Sequence, residues 1–107
     1  MSHTMPSWAA CIFVVLAALA FVGGCGPPQI GADREAFKAV DALYTAVSLR
    51  DPQQLGRCEQ ALRDLHAAGK LPEAAHQRLE AIIAQARGGQ WENAQGRLGE
   101  FMRGQRR

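Results

Sequence analysis

The stretch Asp51–Gly69, DPQQLGRCEQALRDLHAAG, reads as one helix with both of its ends marked. Asp51 has a short carboxylate that can accept hydrogen bonds from the free N–H groups of a first helical turn. Pro52 suits the first helical position, where its missing N–H is not needed. Leu55, Cys58, Leu62 and Leu65 follow in steps of three and four, so they share one face of a helix. Gly69 then supplies the left-handed conformation that closes a helix. The unit this stretch defines is a short capped helix with a single apolar stripe.

The same pattern repeats on either side. Upstream, Asp33 can cap and Glu35 lies in the positive first turn. Ala36, Phe37, Val40, Leu43, Tyr44 and Val47 then form a stripe. Downstream, Pro72 and Glu73 open a third helix whose stripe is Ala75, Leu79, Ile82, Ile83 and Ala86, and Gly88-Gly89 stops it. A fourth carries Trp91, Ala94, Leu98, Phe101 and Met102. Gly96 and Gly99 lie inside it, and each costs about 1 kcal/mol relative to alanine. That makes it the weakest of the four unless the glycines let another helix come close. No strand-like alternation occurs in this part of the chain. The predicted fold class is all-α: a small four-helix domain over residues 33–107, made of two antiparallel αα-hairpins because the connections are short. Single-striped helices are not stable alone, so the stripes must meet.

Two arrangements remain open, a closed bundle or a stack of hairpins. Asp41-Ala42-Leu43-Tyr44 resembles Glu80-Ala81-Ile82-Ile83, and Leu55/Cys58/Leu62/Leu65 matches Trp91/Ala94/Leu98/Phe101 in spacing. The middle of the chain resembles a degenerate tetratricopeptide-type repeat. Tyr44 and Pro52 have the spacing that ends such a repeat, Leu65 stands for the aromatic residue expected before Gly69, and Gly69, Ala74 and Ala81 fall at small-residue positions. Cys58 and Arg78 depart from that pattern. The resemblance implies a hairpin stack with a groove for a partner helix.

The remainder of the chain is different in kind. Residues 9–22, AACIFVVLAALAFV, hold no charge, and all 12 Lys and Arg and all 10 Asp and Glu lie beyond Cys25. The run is shorter than the roughly 20 residues of a spanning helix and fits the h-region of a secretory signal. The n-region MSHTMPSW lacks Lys and Arg, and Met5 is a second possible start. Val22-Gly23-Gly24-Cys25 resembles the lipobox of bacterial lipoproteins: an aliphatic residue, two small ones, then cysteine. That resemblance implies a signal peptide over 1–24, a diacylglyceryl group on Cys25 and cleavage before it. It implies a protein of the bacterial cell envelope, lipid-anchored on the extracytoplasmic side. Gly26 in place of Asp implies the outer membrane where two membranes exist. The alternative topology is an uncleaved anchor, which positive-inside reasoning would orient with the helical domain in the cytoplasm as a regulatory module. Residues 25–32, CGPPQIGA, read as a Pro/Gly linker with a reach of at most about 26 Å.

No catalytic constellation can be assembled, and no metal or cofactor site is expected. Cys58 sits in an apolar stripe and reads as core. His66 and His76 could meet across the Gly69 turn, but two histidines alone make a poor metal site. Glu59 and Arg63, four apart, read as an exposed helix pair. Phe37, Tyr44, Trp91 and Phe101 read as core packing. With a net charge of only +2, nucleic acid is not an expected partner, and no small-molecule substrate is evident. Arg103, Arg106 and Arg107 suit the negative end of the last helix, and they are also candidates for contact with anionic head groups. The expected role is non-enzymatic: a membrane-tethered domain that binds another protein.

Overall fold

The computed structural model describes residues 27–106. It consists of α1 (Arg34–Ser48), α2 (Pro52–Ala67), α3 (Glu73–Arg87) and α4 (Trp91–Arg103). No strand occurs among the described residues. None of their helices is long and apolar enough to cross a membrane.

The caps follow the sequence at the first two helices. Asp33 accepts from the Ala36 N–H at 3.0 Å. Asp51 accepts from Gln53 and Gln54 at 3.1 and 3.2 Å. The three turns repeat one motif. In each, the first N–H past the helix returns to the last turn, and a left-handed residue follows it: Arg50 at φ 53°, Gly69 at 76° and Gly89 at 88°. The next N–H then reaches back to a carbonyl five residues earlier, as in Asp51 to Ala46, Lys70 to Leu65 and Gln90 to Gln85, at 2.8–3.1 Å. This doubly bonded ending satisfies carbonyls that would otherwise face solvent unpaired, and it reverses the chain within a few residues.

Contact runs round the ring: α1 against α2, α2 against α3, α3 against α4, and α4 back against α1. An open hairpin stack would leave the first and last helices apart. The fold is a small four-helix bundle. Its core is Ala36, Val40, Leu43, Ala46 and Val47 from α1, with Leu55, Cys58 and Leu62 from α2. From α3 come Ala75, Leu79, Ile82, Ile83 and Ala86, and from α4 Ala94, Leu98 and Phe101. Each buried Leu, Ile or Phe contributes about 1.5–3 kcal/mol. Phe37, Tyr44, Leu65, Trp91 and Met102 pack partly buried against this core. Nothing lies within 4 Å of a side chain added at Gly96, so that glycine permits no close approach.

Three core residues lie outside the predicted stripes. Ala46 of α1 is buried beside Val47, and Leu71, in the α2–α3 turn, is buried. So is Ile30, within the stretch read from sequence as a linker. Residues 27–30 are not an extended tether; they are clasped to the end of α4. The Ile30 N–H donates to Gln105 Oε1 at 2.6 Å. Gln29 Nε2 donates to the Gly104 carbonyl at 3.0 Å, and the Arg106 N–H donates to Gln29 Oε1 at 2.8 Å. Gln105 Nε2 in turn donates to the Pro28 carbonyl at 2.9 Å. Pro27 lies where a side chain on residue 104 would stand, which explains the glycine there. The described chain therefore enters and leaves at one end of the bundle.

Candidate functional site

Chemically active side chains gather in two places. The first is a polar seam between α2 and α3. Glu59 on α2 is charged yet buried, its side chain 9% exposed. Two arginines hold it: Arg87 of α3 at 2.7 Å, and Arg63, one turn along α2, at 2.9 Å. Arg63 also lies 3.6 Å from Glu80 of α3. The Glu59 and Glu80 carboxyls lie close enough for each to shift the other.

Their surroundings shift them in opposite directions. Burial works to raise Glu59, but the hydrogen bonds from Glu80 and Arg87 and the charges of Arg87 and Arg63 outweigh it and hold the carboxyl below its ordinary range. Burial raises Glu80, and the adjacent Glu59 raises it further. Of the two, Glu80 takes up a proton the more readily.

Two histidines extend the seam towards the α2–α3 turn. The His66 and His76 rings stack with centroids 4.4 Å apart. They do meet across Gly69. His66 Nε2 lies 2.7 Å from Glu73 Oε1, and that contact holds Glu73 below its ordinary range. His76 Nε2 lies 3.3 Å from Glu80 Oε2, within ion-pair distance but off hydrogen-bond geometry. Burial, then the neighbouring His66, lowers His76, which favours its neutral form. No group of three or more His, Cys, Asp or Glu suited to a metal ion occurs among the described residues.

Of the Glu59–Arg63 pair predicted as exposed, Arg63 is exposed, whereas Glu59 is buried and shared with a second arginine. The burial of Glu59 had no signal in α2 alone, because the partner that makes it tolerable, Arg87, comes from α3. The seam combines two carboxyls, two arginines and two imidazoles. However, none of the three surface hollows described below is lined by Glu59, His76 or Glu80. Its groups face one another across a helix–helix contact, where they fix the register of α2 on α3. Cys58 is a free thiol in the core, and burial raises it, which disfavours the reactive thiolate.

The second place is the end of the bundle where the clasp lies. A hollow of about 150 Å³ there is lined by Pro27, Arg78, Arg97, Glu100 and Phe101. Arg103 and Arg106 are exposed at the same end. A second hollow, about 320 Å³, lies between α1 and α2 and includes Glu35, Ala61, Asp64 and Lys70. A third, about 420 Å³, lies at the opposite end, lined by Ala42, Thr45, Ala46, Leu49, Asp51 and Gln54. Leu49 is 69% exposed, the one exposed large hydrophobic side chain among the described residues.

Of the sites predicted from sequence, Arg103 and Arg106 lie at the clasped end, within a few residues of Gln105 and its bonds to the entering chain. Cys25, the lipobox residues Val22, Gly23 and Gly24, and Arg107 lie outside the described residues, as does the whole predicted signal segment 1–24. No protein-family model matches the chain, and no match was found among curated proteins or among solved structures.

Proposed function

We propose that this chain is a lipid-anchored protein of the bacterial cell envelope, whose helical bundle stands on the extracytoplasmic face of a membrane and binds another protein. The observation that carries this reading is Val22-Gly23-Gly24-Cys25 at the border between an uncharged apolar run and a charged body. The small residues admit a peptidase to the backbone, and the thiol of Cys25 is the nucleophile that accepts lipid. A lipoprotein cysteine bears two or three acyl chains, and more than one chain is what makes attachment stable.

The geometry of the bundle is compatible with this role. Pro27, two residues after Cys25, is already packed against Gly104. A lipid on Cys25 would therefore hold the clasped end towards the bilayer and the opposite end, with exposed Leu49 and its hollow, away from it. Tethering raises the local concentration of the bundle near other membrane proteins, so a modest apolar contact at Leu49 suffices for association.

Mass spectrometry of the membrane-extracted protein tests the anchor. The expected species begins at Cys25 and carries the added mass of a diacylglyceryl group, and Cys25→Ser leaves an unmodified, uncleaved precursor. A chain that retains its original N-terminus and a bare thiol at Cys25 would replace this reading with the uncleaved-anchor topology.

A further inference from the structure

The hollow at the clasped end has a composition the anchor alone does not explain. Arg78 comes from α3 and Arg97 from α4, and they line it together with Pro27, Phe101 and a single carboxylate, Glu100. Neither arginine forms an ion pair with any described residue, and both are exposed. Two unpaired guanidiniums around so small a hollow suit a compact, multiply hydrogen-bonding anion such as a phosphate group, which arginine grips through its planar fork. At about 150 Å³ the hollow is too small for a peptide helix.

Position identifies the source of the phosphate. Pro27 is part of the wall, and the rest of the N-terminal chain leaves from it. Cys25 is two residues away, within about 7 Å of backbone. Whatever holds Cys25 at a bilayer therefore brings this hollow to the level of the lipid head groups. Arg103 and Arg106, exposed at the same end, add to the positive field there.

We infer that Arg78 and Arg97 form a binding site for the phosphate of an anionic phospholipid head group, which orients the bundle on the membrane. The site rests on the membrane-anchor reading, though it holds equally for a lipidated Cys25 and for an uncleaved apolar anchor. Each cation brought to an anionic surface strengthens the contact about five-fold.

The test uses the full chain reconstituted in vesicles of phosphatidylcholine alone, or of phosphatidylcholine with phosphatidylglycerol. Arginines are modified with phenylglyoxal, and the modified positions are read by mass spectrometry. Arg78 and Arg97 should react about five-fold or more slowly in the anionic vesicles. Arg50 and Arg57, at the other end of the bundle, should react equally in both. Equal reaction of Arg78 and Arg97 in both compositions, in a chain that floats with the vesicles, overturns the head-group site and leaves the anchor standing. A chain that does not float overturns both. Protection of Arg78 and Arg97 below the reactivity of Arg50 and Arg57 in both compositions assigns the hollow to the phosphate of the zwitterionic head group or to a segment of the chain itself, and equal protection by inorganic phosphate over neutral vesicles assigns it to the free ion. Each of these results overturns a site for anionic lipid.

Discussion

Arg50 holds φ at 53° in a position where the other two turns of the bundle use glycine. The left-handed region brings Cβ close to the following carbonyl, at a cost of about 1–2 kcal/mol for a residue with a side chain. Glycine avoids that clash but loses more freedom on folding, which offsets part of the gain. Arg50 is exposed and has no ion pair among the described residues that would repay the strain. Arg50→Gly should therefore raise stability by about 0.5–1 kcal/mol, read as a higher urea midpoint with an unchanged slope. A midpoint equal to or below that of the parent chain would mean that the guanidinium contributes something the geometry does not reveal. The turn itself was legible from Asp51-Pro52, which announces the start of α2. The strained residue was not, because arginine carries no sequence signal for left-handed backbone.

At the scale of the helix, the apolar stripes were the most legible feature of the chain. Each predicted core position of α3 is buried, as are those of α1 apart from the half-buried Phe37 and Tyr44. What the stripes conceal is polar burial. A pattern read along one helix sorts charged residues to the outside, whereas Glu59 is buried and Glu80 half-buried where α2 pairs with α3, and Arg87 reaches Glu59 only through that pairing. The seam has a testable pH dependence. Glu80 is raised by burial and by Glu59, so the fold favours its protonated form, and its ionisation costs stability as pH rises through the raised value. His76 is lowered, so its neutral form is favoured; its contribution is present above the ordinary histidine value near 6.5 and is lost as pH falls below it. Glu59 is lowered, and its contribution is lost as pH falls through the carboxylate range. Glu80→Gln isolates the first of these effects, because His76 and Glu59 are retained in both chains. The amide keeps the shape of the side chain without the charge. At pH 7.5 the variant should be more stable by up to about 1 kcal/mol, the scale of one hydrogen bond. The advantage should vanish near pH 4, where the parent Glu80 is protonated in both folded and unfolded chains. A variant weaker than the parent at pH 7.5 would show that Glu80 works as an ion-pair partner of Arg63 and His76, with the proton elsewhere.

For the whole molecule, the decisive contact is the one that joins its ends. The helical pattern fixed the number of helices and left bundle or stack open, because periodicity describes a face and not its partner; the α1–α4 contact closes the ring. The clasp was equally invisible, since Ile30 is a lone apolar residue among proline and glycine, with no period to mark it as core. Its burial changes how the bundle would sit on a membrane. As a free linker, residues 25–32 would let the domain range over about 26 Å. With 27–30 docked, the backbone between Cys25 and the bundle can reach at most about 7 Å, so a lipid on Cys25 would hold the domain far closer than a free linker would. Ile30→Ala measures whether that docking is part of the fold. Removing a fully buried Ile side chain costs about 2–5 kcal/mol, depending on how far the site collapses; near a chain end the lower part of that range, about 2–3 kcal/mol, is expected. The same substitution in a solvated linker would change stability by less than about 0.5 kcal/mol. Gln105→Ala separates the apolar contribution from the polar one: it removes the acceptor of the Ile30 N–H and the donor to Pro28, leaves Ile30 in place, and should cost about 1–2 kcal/mol. Urea unfolding of the three chains distinguishes the cases. A cost for both variants makes residues 27–30 structural; no cost for either returns them to the role of a tether.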